Sequence, residues 1–214
     1  MSAWTELVFI LVVVLDFFLL ASSRLKAVIR AAAAQGALLA FMPVLLASHT
    51  ELGHVLALSL GALVVKGIVI PWLLLWAIRE AAIRREVEPL VGFIPSLILG
   101  GLGVALAFAF SSAMPLPTPD KHAFIVPTAL STVWTGLLLV VSRRKAVTQV
   151  IGFLVLENGV FVFGLLLSDF MPTMVEAGVL LDLFAAVFVM GIVMFHINRE
   201  FSSLDTEKLS ALKD

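Results

Sequence analysis

The stretch Gly152-Phe-Leu-Val-Leu-Glu157-Asn158-Gly159 places a carboxylate and an amide side by side in an apolar run long enough to cross a membrane. A charged side chain at the centre of a bilayer costs roughly 2.5 to 3.5 kcal/mol on insertion scales, so an ionisable residue there usually has a function. Lys66 and Asp182 also lie inside long apolar runs. These three residues are therefore the first candidates for a site within the membrane.

The composition decides the class of protein. Of 214 residues, 61% are hydrophobic and 14% charged, and the mean hydropathy is +1.12. A soluble domain of this length could not bury so much apolar surface, so the sequence predicts an all-α polytopic membrane protein in contact with lipid. The net charge of −1 argues against a nucleic-acid partner. The absence of Cys excludes disulfides, thiol redox chemistry and Cys-ligated iron–sulfur clusters within the chain.

Seven apolar runs have the roughly 20 residues that a membrane-spanning helix needs. The predicted spans are 5–23, 29–48, 53–78, 91–114, 123–142, 146–168 and 173–197. Of the 14 Lys and Arg residues, 12 cluster after the odd-numbered spans, and Lys121 alone lies in a loop after an even-numbered span. By the positive-inside rule, this distribution predicts an N-terminus outside the cell and a C-terminus in the cytoplasm.

Two basic turns indicate an internal repeat. The segments Ser23-Arg24-Leu25-Lys26-Ala27-Val28 and Ser142-Arg143-Arg144-Lys145-Ala146-Val147 match at five of six positions. Each turn is followed by a span, a nearly uncharged external loop and another span, which predicts a parallel three-helix repeat. The predicted units are a first three-helix unit (1–80), a linker helix with an external loop (81–122), a second three-helix unit (123–201) and a cytoplasmic tail (202–214). Within the linker helix, the Gly-rich segment 100–103 predicts close helix packing.

The depth of the charged residues follows from the rise of 1.5 Å per helical residue. Counted from the nearest basic turn, Glu157 lies roughly 18 Å and Lys66 roughly 20 Å into the membrane, both near its midplane, and Asp182 lies roughly 25 Å in. Burial favours the neutral form of an ionisable group, and a nearby opposite charge favours the charged form. A carboxylate and a lysine at one depth could therefore be switched by a third charge, as an ion pump requires. The predicted relay residues are Glu157, Lys66 and Asp182, and the predicted supporting residues are Asn158, Asp16 and Gln35.

A structural role is the alternative for each candidate. Glu157 and its neighbouring amide could form a satisfied interhelical hydrogen-bond site, and Lys66 could be a structural counter-ion to Glu157. Asp182 could face water near the outer surface. Asp16 lies about eight residues from the basic turn after the first span, close enough to pair with Arg24 or a neighbouring lysine.

No enzymatic site is predicted in this chain. The four His residues lack the spacing of metal ligands, so we expect neither a metal site nor a bound cofactor. The sequence also contains no Gly-rich phosphate loop and no nucleophile–base arrangement.

Part of the chain resembles a known family. The segment from Ser142 through Glu157-Asn158 resembles the second helix, with its basic approach, of the K-type subunit of complex I and the related C-type subunit of multisubunit cation/proton antiporters. Asp182 falls where that family has its second intramembrane glutamate, and the tail after His196-Ile-Asn-Arg199 has a similar layout. In the K-type pattern the first glutamate lies a few positions earlier, whereas here Glu157 directly precedes Asn158.

The whole chain is more similar to a longer relative, the component E subunit of hydrogenase-4 and formate hydrogenlyase complexes. Three features carry the resemblance: Lys66 followed by Pro71, the triplet Glu157-Asn158-Gly159, and the terminal segment 204–213. The resemblance implies an inner-membrane subunit in the membrane arm of a group 4 nickel–iron hydrogenase or related complex. It would lie beside antiporter-like subunits and contribute to a proton or sodium path, while other subunits perform the redox chemistry. The alternatives are a purely structural spacer between those subunits and a stand-alone secondary ion transporter.

Overall fold

The computed structural model describes residues 3–46, 52–80, 89–114, 124–167 and 191, and within these ranges the regular structure is helical. The α-helices with more than one described residue are α1 Ala3–Ala21, α2 Leu25–Ala40, α3 Met42–Leu46, α4 Leu52–Val64, α5 Ile70–Glu80, α6 Phe93–Ala113, α7 Ile125–Ser142 and α8 Ala146–Leu167. A π-helical turn, Val65–Val69, joins α4 to α5.

Six of the described helical segments are long and apolar enough to cross a membrane, and they coincide closely with the first six predicted spans. The first is Trp4–Ala21 and the sixth is Val147–Leu166. The seventh predicted span, 173–197, and the tail 202–214 lie outside the described residues. The chain is therefore an all-helical, multi-pass membrane protein, whereas the count of seven spans and the orientation stay predictions.

A proline changes the hydrogen-bond pattern of the third span. Pro71 has no N–H to offer the carbonyl of Gly67, and its ring would collide with that carbonyl in a regular α-helix. The chain widens into the π-helical turn just before the proline, and the N–H of Ile70 bonds to the carbonyl of Val65 five residues earlier. Lys66 lies on this widened turn and is buried, with 8% of its surface exposed. Pro71 therefore determines the backbone from which Lys66 projects.

Glycines allow α7 and α8 to pack backbone against backbone. A methyl group added at Gly159 would stand 2.6 Å from the nitrogen of Val133, and one added at Gly152 would stand 2.8 Å from the nitrogen of Val140. A Cβ on Gly136 would collide with the backbone of Leu156. Such close approach through small residues is the main source of helix association in lipid. The α7–α8 pair is therefore the most tightly restrained part of the described fold.

The packing predicted for the Gly-rich segment of α6 is confirmed. Gly103 makes room for the indole of Trp134, whose Nε1 donates a hydrogen bond to the carbonyl of Leu99 at 3.0 Å. Gly100 lies against the side chain of Leu20, whereas a Cβ on Gly101 would meet no atom within 4 Å. The small residues at one face of α6 thus dock this helix onto α1 and α7.

One residue of the basic turn between α7 and α8 is buried and not solvated. Arg143 is 2% exposed, and its guanidinium donates hydrogen bonds to the carbonyls of Leu20 at 2.9 Å and Val91 at 3.2 Å. The same group lies 4.9 Å from the ring centroid of Phe93. Arg143 therefore connects the end of α1, the start of α6 and the α7–α8 turn.

Two apolar clusters fill the interior at different heights. The turn-side cluster lies near the basic turns and includes Leu20, Leu25 and Ile151. The far-side cluster lies toward the other helix ends and includes Phe9 and Val162. Four helices, α1, α2, α7 and α8, contribute to both clusters, and the buried residues between the clusters on these helices are polar residues or glycines.

The glycine contacts between α7 and α8 can be tested by adding a single methyl group. We expect Gly159→Ala to lower the free energy of unfolding by about 1–3 kcal/mol, because the new methyl overlaps the backbone of α7. Gly164→Ala on the same helix is the matched control, because no atom of a described neighbouring helix lies within 4 Å of its Cβ position. The control should be neutral or stabilise by up to about 1 kcal/mol. Thermal unfolding of the two purified proteins in detergent measures the difference, and equal melting temperatures would contradict the described contact.

The predicted orientation can be tested with single thiols, because the chain has no Cys. Ser23→Cys places a thiol in the predicted cytoplasmic turn, and Thr118→Cys places one in the predicted external loop. We expect a membrane-impermeant maleimide added to intact cells to label only the second variant. Permeabilised cells provide the control in which both thiols react. Labelling of Ser23→Cys alone in intact cells would show that the orientation is opposite to the predicted one.

Candidate functional site

The candidate site is a layer of polar side chains between the turn-side and far-side apolar clusters. We call it the polar layer, and it consists of Asp16, Gln35, Lys66, Thr132, Glu157 and Asn158. These residues come from α1, α2, the π-helical turn, α7 and α8. All six are buried. Within the described helices, Lys66 is the one buried basic residue, and Asp16 and Glu157 are the two buried acidic residues.

A chain of hydrogen bonds runs through this layer. The Nζ of Lys66 donates to Oδ1 of Asn158 at 3.2 Å, and Nδ2 of Asn158 donates to Oε1 of Gln35 at 3.3 Å. The Nε2 of Gln35 donates to Oδ1 of Asp16 at 2.8 Å, and the hydroxyl of Thr132 donates to Oδ2 of Asp16 at 2.8 Å. The amine of Lys66 is thereby connected to a carboxylate on α1 through two amides.

The orientation of both amides is determined by their neighbours. The amine of Lys66 can only donate, so Asn158 must present its oxygen to it. At the other end, Nε2 of Gln35 also lies 3.4 Å from the carbonyl oxygen of Val12, which can only accept. Both ends require the same direction of donation. Each hydrogen bond in the series therefore donates in the direction from Lys66 to Asp16.

Lys66 reaches this position because α2 has no side chain in its way. A Cβ on Gly36 would stand 3.0 Å from Cβ of Lys66 and 3.8 Å from Nδ2 of Asn158. The amine also lies 5.1 Å from the ring centroid of Phe161, a distance at which the face of an aromatic ring attracts a cation. Glycine on α2 and phenylalanine on α8 thus hold the lysine stem and its charged end.

A small cavity adjoins the lysine. Its volume is about 20 Å³, and a cavity of roughly 10–15 Å³ can hold one water molecule. Its polar lining comes from Lys66, Glu157 and Asn158. Its apolar lining comes from residues of α2, α5 and α8, among them Ile29, Pro71 and Leu154. The cavity therefore places an amine, a carboxylate and an amide around a space that one water or one proton carrier could occupy.

The structure brings together most of the predicted residues. Lys66, Glu157 and Asn158 share the cavity, and Gln35 and Asp16 continue the hydrogen-bonded chain from it. Asp182 lies outside the described residues, so its relation to the other five is untested.

The structural alternative for Asp16, a pair with Arg24 or a neighbouring lysine, is not the arrangement that the structure shows. Arg24 is exposed, whereas Asp16 is 1% exposed and its two oxygens accept hydrogen bonds from Gln35 and Thr132. That alternative counted distance along the chain to the basic turn and took no account of which way α1 turns its carboxylate. That carboxylate faces the interior, where two neighbouring helices supply donors.

Thr132 was missed in the sequence, although a signal for it exists. Along α7 the buried hydroxyl residues Thr128, Ser131, Thr132 and Thr135 recur at helical spacing. A stripe of small hydroxyl residues on one face of an apolar span marks an interhelical contact. Reading that stripe would have indicated the face of α7 that meets the polar layer.

The fold and the polar layer together define a class of protein. It is a multi-pass helical membrane protein that buries an amine and two carboxyl groups in one polar layer. Such intramembrane groups occur where ions or protons are moved or where helices are held in register.

Comparison with known proteins narrows the class to a family. Residues 122–214 match the family of NADH-ubiquinone/plastoquinone oxidoreductase chain 4L. Hydrogenase-4 component E of Escherichia coli K12 is 32% identical over 157 residues, which cover 72% of this chain and 72% of that protein. The chain belongs to the hydrogenase-4 component E family. An uncharacterized protein of Mycobacterium tuberculosis, Rv0085, is 35% identical over 191 residues, covering 89% of this chain and 87% of that protein. No solved structure matches the chain.

These findings support the expectation of a membrane-arm subunit of the respiratory type, and the resemblance drawn from the sequence is confirmed. The match to chain 4L begins at residue 122, next to the predicted start of the second three-helix unit. It includes α7 and α8, which carry Thr132, Glu157 and Asn158. Lys66, Gln35 and Asp16 precede the matched segment, so half of the polar layer comes from the part of the chain that lies outside that match.

Removing the amide of Asn158 tests the hydrogen-bonded chain. We expect Asn158→Leu to lower the free energy of unfolding by about 1–3 kcal/mol, because the buried amine of Lys66 and the oxygen of Gln35 each lose a partner. The matched control is Gln149→Leu on the same helix, which removes an exposed amide that donates one hydrogen bond, at 3.0 Å, to the carbonyl of Arg143 outside the polar layer. Thermal unfolding in detergent compares the two variants with the wild-type protein. An Asn158→Leu protein as stable as the control would show that these contacts contribute little.

Proposed function

We propose that this chain is an integral subunit in the membrane arm of a hydrogenase or complex I-like assembly and that it contributes Lys66 and Glu157 to ion translocation. The observation that carries the proposal is the shared cavity, in which an amine and a carboxylate meet at the level of the polar layer. Asp182, in the seventh predicted span, is the third proposed group of this path. The subunit itself performs no redox chemistry in this proposal, and antiporter-like subunits are its proposed neighbours.

The cavity favours protons over sodium as the ion that is moved. A sodium ion needs several oxygen ligands and would be repelled by an ammonium group lining the same small space. A proton needs only groups that accept and release it, and the cavity has room for one connecting water. The amine of Lys66 and the carboxylate of Glu157 are such groups. We therefore propose proton transfer at this site.

The position of Lys66 supports a switching role. Its backbone lies in the π-helical turn before Pro71, and such turns are frequent at functional sites because they allow local rearrangement. A small change in that turn would move the amine relative to Glu157. The free energy needed to ionise Glu157 would then change, because a nearby ammonium group favours the charged form of a carboxyl group that is shielded from water. In this proposal a movement of the neighbouring subunits reaches Glu157 through Lys66.

Coupled transport by the assembled complex tests the proposal. We expect Glu157→Gln to reduce proton translocation by about tenfold or more while the complex still assembles, because the amide keeps the shape but cannot exchange a proton. Lys66→Met should impair coupling in the same way. Glu6→Gln is the matched control, since Glu6 lies on α1 well away from the polar layer. Proton uptake into vesicles and the turnover of the complex are measured together.

Two other outcomes would decide for the alternatives. Normal coupling in assembled complexes that carry Glu157→Gln and Lys66→Met would make the chain a structural spacer. Ion transport by the purified chain alone in liposomes would make it a stand-alone transporter.

A further inference from the structure

We propose that Asp16 is a positioning residue: as a hydrogen-bond acceptor it holds Gln35, and through Gln35 it keeps the oxygen of Asn158 turned toward the cavity. Asp16 itself carries no translocated proton. It lies on α1, whereas the proposed function uses groups on the π-helical turn, on α8 and in the seventh predicted span. The inference deepens the proposed function, and its importance for transport rests on that function. The hydrogen-bonded series itself can be tested without any measurement of transport.

Both oxygens of Asp16 are used as acceptors. Oδ1 accepts from Nε2 of Gln35 on α2, and Oδ2 accepts from the hydroxyl of Thr132 on α7, each at 2.8 Å. The side chain is 1% exposed, so a rotation that broke either bond would leave a buried polar group without its partner. Donors from two different helices therefore give the carboxyl group a defined position.

The amide of Gln35 depends on Asp16 for its direction. Its Nε2 lies 2.8 Å from Oδ1 of Asp16 and 3.4 Å from the carbonyl oxygen of Val12, and the second distance is longer than the usual range for a hydrogen bond. If the amide turned over, its oxygen would face that carbonyl oxygen, and neither atom can donate. Asp16 thus supplies the shorter of the two contacts that keep Oε1 of Gln35 directed toward α8.

The amide of Asn158 receives its direction from Gln35 in turn. Its Nδ2 donates to Oε1 of Gln35 at 3.3 Å, and its Oδ1 accepts from Nζ of Lys66 at 3.2 Å. The nitrogen and the oxygen of an amide lie on opposite sides of one planar group, so holding the nitrogen also places the oxygen. The direction that Asp16 imposes is therefore the direction that the amine of Lys66 requires, because an ammonium group can only donate.

The packing of the helices explains why Asp16 acts through a third side chain. Helix α1 packs against α2 and α7, and α2 packs against α8. Among the described residues, Asp16 and Asn158 share no hydrogen bond, and Gln35 is bonded to both. A change at Asp16 can thus reach α8 through Gln35.

The surroundings of Asp16 favour an acceptor over a proton carrier. The small cavity that could hold a water is lined by Lys66, Glu157 and Asn158, and Asp16 does not belong to its lining. The polar partners of Asp16 are an amide and a hydroxyl. Such a position requires only an acceptor that faces Gln35. An asparagine in place of Asp16 supplies one too.

A double-mutant cycle on the full chain tests the series. Asp16→Leu and Asn158→Leu each replace a polar group by an apolar group of similar branching. We expect both variants to melt at lower temperature in detergent, and the double variant to lose clearly less than the sum of the two shifts, because Asp16 stabilises Asn158 through Gln35. In a Gln35→Met background the two shifts should add. Asp16→Leu with Gln149→Leu is the control pair and should also be additive, since Gln149 donates outside the polar layer.

Asp16→Asn is the conservative variant that separates an acceptor from a charge. Its oxygen can still accept from Gln35, and the hydroxyl of Thr132 can accept from the new amide. We expect Asp16→Asn to recover most of the melting temperature that Asp16→Leu loses. In the assembled complex, Asp16→Leu should lower the number of protons translocated per turnover severalfold, and Asp16→Asn should restore most of that ratio.

Two results would overturn the inference outright. Additive melting shifts for Asp16→Leu and Asn158→Leu would show that Asp16 does not act on Asn158. An Asp16→Asn complex that loses translocation as fully as Asp16→Leu would show that the charge or a proton of Asp16 is needed. If Asp16→Leu does not fold, Thr132→Val replaces it in the cycle, because it removes one of the two donors that hold Asp16; additive shifts would again overturn the inference.

The transport measurements separate this inference from the proposed function. If Glu157→Gln translocates protons normally while the melting shifts remain non-additive, the proposed function fails and the positioning of Asn158 stands. If Glu157→Gln abolishes translocation while Asp16→Leu leaves it intact, the proposed function stands and the role of Asp16 in it fails.

Discussion

The hydrogen bond between Lys66 and Asn158 is the interaction on which the interior of this protein depends. An ammonium group inside an apolar bundle is tolerated only where acceptors and an opposite charge meet it. The surrounding sequence supplies these conditions from separate elements. Pro71 creates the widened turn, Gly36 leaves space for the lysine stem, and α8 brings the amide and the carboxylate to one place. The two apolar clusters then isolate this layer from both ends of the bundle.

The glycines of α7 and α8 explain how the positions of Glu157 and Asn158 are fixed. Backbone contact at Gly152 and Gly159 leaves little freedom for α8 to slide or rotate against α7. Glu157 and Asn158 lie between those two glycines, so their depth and direction are set by the most restrained contact in the fold. Lys66, by contrast, projects from a π-helical turn that follows a different hydrogen-bond pattern. A rigid carboxylate and a lysine on an adjustable turn form an asymmetric pair, which suits a site where one partner moves.

The spans and the buried charges could be predicted from the sequence because both depend on composition along the chain. Length and hydropathy located six spans that the structure contains, and the cost of intramembrane charge singled out Lys66 and Glu157. The partners could not be predicted in the same way. Each residue turns a helix by about 100°, so sequence distance says little about which face meets which neighbour. Sequence distance left a pair between Asp16 and Arg24 or a neighbouring lysine as one alternative, whereas the rotation of α1 directs Asp16 to Gln35 and Thr132.

Arg143 has two roles in this protein. By the positive-inside rule, the basic turn between α7 and α8 is one of the turns that predict the orientation of the chain in the membrane. Its partners in the folded protein are the carbonyl of Leu20, near the end of α1, and the carbonyl of Val91, just before α6; both precede Arg143 in the sequence, and they come within its reach when α1 and α6 pack against α7. A charge that contributes to the predicted orientation is therefore buried in the folded bundle, where its hydrogen bonds join α1 to the segment before α6. One side chain thus contributes both to the predicted topology and to the packing of the helices.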